Sequence, residues 1–384
     1  MPHCNKKMLS FFLTTKCNLC CRYCYNANER NSIKEESIPI EIAKAGVDWY
    51  FSNNESRHIR FYGPGEPTQE FAKMKAITEY AKNHINRGKD VTVELQTNGV
   101  FVHEISEWIV KNINIVWVSF DGMKDIQEYN RPLNPLYASM FEGKTSADVL
   151  EENVKWLIDH RRTDNDLMVG ARVTITDLNI RKQREMVDYF YSLGIRYVWS
   201  DTVFNSVGQQ PSCTLVQKKK PHSFEMEEYV TNYLDAYWYA KSKGLFWGSF
   251  YIINFDGASP YHCRSCTPLE APHLTTDGYI SACDMVLFGK ESNHMSLFIV
   301  GKWDADKRGF VFCDKRIRAL NERKSTKIEH CADCIAQLHC GGQCLGEIVN
   351  EFGVLDGQNH DKCYAVKRLY KEIGECAPFP FLHP

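Results

Sequence analysis

The sequence predicts an α/β chain, with a parallel β/α barrel or open sheet over the first two hundred residues and a smaller cysteine-rich unit after it. Three observations carry that expectation. Apolar runs of strand length alternate with longer helical patterns, as parallel strands with helical crossovers require. Glycines and small polar residues stand at the ends of successive strands, where folds of this class place their chemistry. Most of the sixteen cysteines fall in two groups, residues 4–24 and 263–376, with only Cys213 between them.

Taken in order, the strand candidates are Met8–Thr14, Arg57–Tyr62, Val91–Thr97, Asn114–Ser119, Leu167–Thr174 and Ile195–Ser200. The helices expected between them are Ile40–Phe51, Gln69–Asn86, Glu104–Lys111, Ala147–His160 and Arg181–Leu193. Residues 204–222 are rich in Gly, Gln, Pro, Ser and Lys and read as a loop, in which Lys218, Lys219 and Lys220 form a solvated run. A helix follows from Phe224 to roughly Lys243, with Tyr229, Tyr233, Ala236, Tyr237 and Ala240 as its packing stripe. The expected divisions are therefore residues 1–222 for the barrel, 223–254 for a connecting helix and linker, and 255–384 for the cysteine-rich unit.

A net charge of −2 offers no long-range attraction to nucleic acid or anionic lipid, so neither is expected as a partner. No unbroken apolar stretch reaches the length of a membrane span. The first residues lack a long apolar core and a small-residue cleavage site, which leaves a cytoplasmic location as the expectation. In such a chain, cysteines in this number are better read as metal ligands than as disulfides.

The first cysteine group contains Cys17, Cys21 and Cys24 at C-x3-C-x2-C spacing, on the loop after the first strand. Three thiolates can hold three irons of a [4Fe–4S] cube and leave the fourth for a small molecule. A zinc knuckle with a further ligand is an alternative. Cys20 also permits a parse through Cys17, Cys20 and Cys24. The spacing, with the aromatic Tyr23 before the last cysteine, resembles the signature of the radical S-adenosylmethionine (radical SAM) superfamily. That resemblance implies a cluster that binds SAM and, on reduction, cleaves it to a 5′-deoxyadenosyl radical. It also makes Cys20 a bystander.

Further stretches resemble the same superfamily in the same order. Gly63-Pro64-Gly65-Glu66-Pro67 is similar to its G-G-E-P loop, with Pro64 in place of the usual first glycine. The resemblance gives Gly65, Glu66 and Pro67 to the SAM ammonium, through exposed carbonyls and the Glu66 carboxylate. It places Gln96 and Asn98 along the SAM site, and Ser119 with Arg131 at the SAM ribose or carboxylate. An arginine suits a carboxylate because its planar fork binds both oxygens. Arg172 and Ser200-Asp201, at the ends of the fifth and sixth strands, either line a substrate cavity or cap the strands.

In the second group, Cys263 and Cys266 form a C-x2-C, and Thr275–Tyr279 reads as a hairpin turn leading to Cys283-Asp284. Cys331, Cys334, Cys340, Cys344 and Cys363 follow at x2, x5, x3 and x18 spacings. Four of these could make one zinc site. The whole pattern resembles the SPASM extension of radical SAM enzymes, so the expected fold is a partial (β/α)6 TIM-type barrel followed by a small SPASM domain with a β-hairpin and short helices. By that resemblance one auxiliary [4Fe–4S] cluster uses Cys263, Cys266, Cys283 and Cys344, and a second uses Cys331, Cys334, Cys340 and Cys363. The close Cys263/Cys266 pair leaves open whether both ligate. In sulfatase-maturing relatives an aspartate at the position of Asp284 takes the substrate proton; a turn aspartate is the plain alternative.

The resemblance implies an enzyme with three [4Fe–4S] clusters and SAM, a peptide or protein substrate, and a flavodoxin- or ferredoxin-type reductant. The expected product is an oxidised or crosslinked residue. Anaerobic sulfatase maturation, forming formylglycine from Cys or Ser, is the nearest rival. A non-catalytic zinc or electron-transfer protein is the rival from another class.

Overall fold

The computed structural model describes residues 7–24, 36–84, 91–161, 167–204, 224–255, 257–263, 267–289 and 294–374. Cys4, Cys213, Cys266, Cys376 and the Lys218–Lys220 run lie outside the described residues.

All six expected strands are present, as β1 (Leu9–Phe12), β2 (His58–Tyr62), β3 (Thr92–Thr97), β4 (Ile115–Ser119), β5 (Met168–Ile175) and β6 (Tyr197–Thr202). Each pairs parallel to the next. A short seventh strand, β7 (Phe246–Gly248), pairs parallel to β6 and follows the helix Met226–Ser242. The segment read as a linker thus continues the βα alternation. Strands as apolar as LSFF and IVWVS bury both faces, one toward the interior and one under the helices.

The hairpin is formed by β8 (His273–Leu274) and β9 (Tyr279–Ser281), with Leu274 opposite Ile280. Strand β8 also pairs parallel to β1, setting Ser10 beside His273 and Phe11 beside Leu274. With β10 (Ile299–Asp304) and β11 (Gly309–Phe312), the described strands make one sheet in the order β11-β10-β9-β8-β1-β2-β3-β4-β5-β6-β7. The cysteine-rich end is therefore hydrogen-bonded to the free edge of the first barrel strand. Tyr50, on the helix Ile40–Asn53, donates its hydroxyl to Glu270 O at 2.7 Å and adds a side-chain tie between the two halves.

Local sequence explains the helix starts. Thr145 and Asp148 make a reciprocal capping box on Ser146–Asp159, satisfying backbone donors that the first turn leaves open. Asn359 accepts from Lys362 N at the start of His360–Leu369. Among the described residues no helix is long and apolar enough to cross a membrane.

Candidate active site

The loop after β1 is fixed against the loop after β2 by backbone hydrogen bonds. Gly65 N donates to Thr14 O at 3.0 Å, and Glu66 N donates to Lys16 O at 2.7 Å. A Cβ on Gly65 would stand 2.2 Å from Lys16 O, so only glycine permits this approach. The two loops border a cavity of about 190 Å³. Its wall includes the three thiols Cys17, Cys21 and Cys24, together with Tyr23, Gly65, Glu66, Gln96, Asn98, Ser119 and Arg131. Further along lie Arg172, Thr174, Asp201 and Phe204. Eleven of the twelve candidate residues assigned to the first cluster and SAM are thus brought together. Pro67 is not on this wall; it is buried at the start of the 3-10 turn Pro67–Glu70. Cys20 is fully buried and disulfide-bonded rather than free, and stays off the wall.

Glu66 is used more structurally than its motif suggests. One carboxylate oxygen accepts from Thr68 N at 3.1 Å, Thr68 Oγ1 at 2.8 Å and Thr97 Oγ1 at 2.7 Å. The other accepts from Asn98 N at 2.7 Å. The carboxylate therefore locks the β2 loop to the end of β3, although burial pushes its pKa upward against those hydrogen bonds. Asn98 in turn donates to Asn18 Oδ1 at 2.8 Å and faces Cys17 Sγ at 3.9 Å. Gln96 Oε1 is buried at the cavity with no hydrogen-bond partner. An orphaned acceptor of this kind needs a ligand donor or water.

Asp121 organises the opposite side and was passed over in the sequence as part of an Asp-Gly turn. It is wholly buried. Oδ1 accepts from Thr174 N at 3.0 Å, and Oδ2 accepts from the Tyr23 hydroxyl, Asn130 Nδ2 at 3.1 Å and Arg131 Nε at 3.3 Å. Arg131 also lies 5.1 Å from the Tyr23 ring centre and directs Nη1 toward Cys21 Sγ at 4.0 Å. Burial pushes the Cys21 thiol up to about 12, Arg131 opposes the shift, and Cys17 and Cys24 add to it. Three mutually repelling thiolates beside one arginine call for added positive charge. A cationic iron centre fits that donor set.

Asp284 is not on the wall of this cavity. His273 Nε2 lies 2.6 Å from its Oδ1, and Arg60 Nη2 lies 3.9 Å from its Oδ2. Arg60 donates through Nε to Ser10 at 2.9 Å. Register explains the grouping, since Ser10 is paired with Arg60 on β2 and with His273 on β8. Burial works to raise the Asp284 carboxyl, but His273 and Arg60 outweigh it and hold it well below the usual carboxylate range.

In the cysteine-rich end, Cys331, Cys334, Cys340 and Cys363 border one small cavity of about 20 Å³. Gln343 Nε2 donates to Cys363 Sγ at 3.0 Å, Gln358 Nε2 to the same sulfur at 3.4 Å, and Gln343 N to Cys340 Sγ at 3.3 Å. Burial pushes the Cys340 thiol up to about 12, even with two backbone donors opposing the shift. Cys283 Sγ packs against the helix that Cys344 caps: a Cβ on Gly346 would meet it at 2.5 Å. His262 Nδ1 lies 2.9 Å from Cys340 O and brings the neighbouring Cys263 toward that region. Among the described residues no three His, Cys, Asp or Glu side chains converge on a single ion. A four-iron cube does not need such convergence, because each thiolate binds a different iron.

Residues 11–190 match the family model of the radical SAM superfamily. The chain is 22% identical over 396 residues to the radical SAM cyclopropyl synthase TigE of Paramaledivibacter caminithermalis, covering 96% of this chain and 74% of TigE. It is 24% identical over 389 residues to a serine-type anaerobic sulfatase-maturating enzyme of Bacteroides thetaiotaomicron, covering 94% and 87%. An uncharacterized protein of Methanocaldococcus jannaschii, MJ0907, is 24% identical over 196 residues; the match spans 51% of this chain and 62% of that relative. The fold is similar to native anSMEcpe with bound AdoMet and a Cp18Cys peptide, with a TM-score of 0.70, 16% identity and 96% of each chain covered. It is also similar to Streptococcus suis SuiB bound to precursor peptide SuiA, with a TM-score of 0.60, 15% identity, and 94% and 76% covered.

Proposed function

Since the chain is a radical SAM enzyme of the SPASM type, we propose that it takes a hydrogen atom from a peptide or protein substrate in the cavity between Cys17 and Arg172, giving an oxidised or crosslinked residue. The observation that carries this reading is the division of that cavity. Thiols, Arg131, Ser119 and the orphaned Gln96 acceptor share its wall with a stretch lined by Arg172, Thr174 and Asp201.

With SAM bound, a [4Fe–4S] cluster supplies a 5′-deoxyadenosyl radical on reduction. Cys17, Cys21 and Cys24 would hold three irons. Arg131 Nη1 would face the SAM carboxylate, Ser119 the ribose, and Gln96 Oε1 and Asn98 the remaining donors. Because both Glu66 oxygens already serve β3 and the turn, the ammonium is left mainly to loop carbonyls beside Gly65. Asp284, kept anionic by His273 and Arg60, would accept the substrate proton.

We assign the two auxiliary clusters to Cys331, Cys334, Cys340 and Cys363, and to Cys263, Cys266, Cys283 and Cys344. The shared small cavity supports the first set, and the packing of Cys283 on the Cys344 helix supports the second. In this reading residues 1–222 generate the radical, 255–384 hold the auxiliary clusters, and a flavodoxin- or ferredoxin-type protein supplies electrons. Peptide as the substrate class is supported by the peptides bound in the anSMEcpe and SuiB structures.

Formylglycine formation is the second reading, favoured by the near full-length similarity to the sulfatase-maturating enzyme. Anaerobic reconstitution tests both. The loaded chain is expected to carry about twelve irons, at about four per cluster, and to release 5′-deoxyadenosine from SAM and reductant. Mass spectrometry on Cys- and Ser-containing peptides then divides the readings: an aldehyde after loss of two hydrogens supports maturation, and a crosslink inert to aldehyde reagents supports peptide crosslinking. Intact SAM after strong reduction would remove both.

A further inference from the structure

We propose that Arg172 and Asp201 form the seat for one backbone amide of the substrate, with the carboxylate receiving its N–H and the guanidinium serving its carbonyl. The inference rests on the peptide reading above and names the residues that would hold the peptide. The cysteines, Gln96, Ser119 and Arg131 account for one part of the cavity wall; Arg172 and Asp201 stand on β5 and β6 beyond them. Register puts them together, since Thr174 is opposite Asp201 and Arg172 lies two residues earlier on the same strand.

The pair is fixed but not closed. Asp201 Oδ1 accepts from Phe250 N at 2.7 Å and Ser249 Oγ at 3.0 Å, which locks the carboxylate plane. Arg172 stacks with its guanidinium carbon 5.2 Å from the centre of the Phe250 ring. The remaining contact, Arg172 Nη2 to Asp201 Oδ2, is 3.6 Å, longer than a direct charged hydrogen bond. A donor and an acceptor presented side by side match an amide, which carries one of each. Both side chains are largely buried, so their stronger bonds to a ligand would form away from competing water.

The seat also carries a pH dependence. Burial pushes the Asp201 carboxyl up to about 6, against Arg172, the Phe250 N–H and the Ser249 hydroxyl. The other groups facing it are Tyr229 on the helix Met226–Ser242, Tyr251 on the following turn, and Glu347 and Lys362, which are paired with each other. Below that pH the carboxyl gains a proton and ceases to be the acceptor an N–H requires. Peptide binding therefore weakens as pH falls from 7.5 to 5.5.

The test uses the full chain, iron-loaded and with SAM, in anaerobic equilibrium dialysis against a synthetic pool of end-blocked random dodecapeptides. A pool is suitable because the seat reads backbone. The parent is expected to retain about fourfold less peptide at pH 5.5 than at 7.5, following the ionised fraction of a group titrating near 6. Asp201→Asn and Arg172→Gln should each weaken retention about tenfold at pH 7.5, the scale of one charge-assisted hydrogen bond. Asp201→Asn should also abolish the pH response, and Arg172→Lys should restore part of the loss. If Asp201→Asn fails to load iron, Arg172→Gln and the parent pH response decide. Equal retention by parent and Arg172→Gln, with no pH response in the parent, overturns the seat while leaving the peptide reading intact. A parent that forms 5′-deoxyadenosine yet retains no peptide at either pH overturns the peptide reading and the seat with it.

Discussion

The two cysteine sites differ in how the polypeptide closes around sulfur. Around Cys17, Cys21 and Cys24 the cavity is about 190 Å³, and the side-chain donors nearest Cys17 and Cys21 stand at 3.9 and 4.0 Å. Around Cys331, Cys334, Cys340 and Cys363 it is about 20 Å³, and donors reach Cys340 and Cys363 at 3.0–3.4 Å. A site built to admit a ligand keeps its donors back and supplies one thiolate too few. A site built to hold a closed cluster supplies all the thiolates and solvates them with amide N–H groups. The same element, at similar spacing, is thus given two tasks by its surroundings.

The largest expected effect tests the open site. Cys17→Ala, Cys21→Ala and Cys24→Ala should each reduce 5′-deoxyadenosine release to background, whereas Cys20→Ala should retain it. Loss of release in Cys20→Ala would return the alternative parse and erase the contrast. Next is the closed site: Cys363→Ala should cost about four of the twelve irons and lower the melting temperature by several degrees, because a cluster contributes folding energy. Its 5′-deoxyadenosine release without peptide should persist, and product formation should not. Equal loss of both readouts would mean that the two sites are not separable.

A smaller effect is expected from Arg131→Lys. The ammonium keeps the charge beside Asp121 but loses the planar fork, so SAM affinity measured by dialysis should fall about tenfold, near 1.4 kcal/mol. The smallest change lies away from both cysteine sites and gives the baseline. Thr145→Ala removes the cap of Ser146–Asp159 and should cost about 1 kcal/mol in thermal unfolding, with iron content unchanged. Its partner Asp148 is lowered to about 2 by hydrogen bonds from Lys124 and Thr145. A depressed carboxylate stabilises above its unfolded pKa, so that contribution fades as pH falls from about 4 toward 2. Because Asp148 is partly exposed, the loss should stay below about 1 kcal/mol.

Much of the site was legible because strand ends are marked by local chemistry. Gly65, Gln96, Asn98 and Ser119 each follow an apolar run, and parallel topology then gathers such ends on one side. Asp121 was not legible. Asp-Gly serves a turn equally well, and nothing local reveals that its carboxylate will meet Tyr23, Asn130 and Arg131. Glu66 was legible as a motif residue, but not as the clamp between two strand ends, since Thr97 and Asn98 are thirty residues away in sequence. The short strand β7 was hidden because three residues carry too little periodicity to register.

The sequence by itself determined the α/β alternation, the order of the motifs and the separation of cysteines into two groups, because each is written in spacing that neighbouring residues alone can express. Only the tertiary structure decided that the hairpin strand β8 docks on β1, that Asp284 is thereby met by Arg60 and His273, and that Arg172 and Asp201 share the cavity with the first cysteines. Those relations depend on which strand edges pair and in what register. Such a choice is made by burial and hydrogen bonding between segments up to two hundred residues apart, and no local pattern records it.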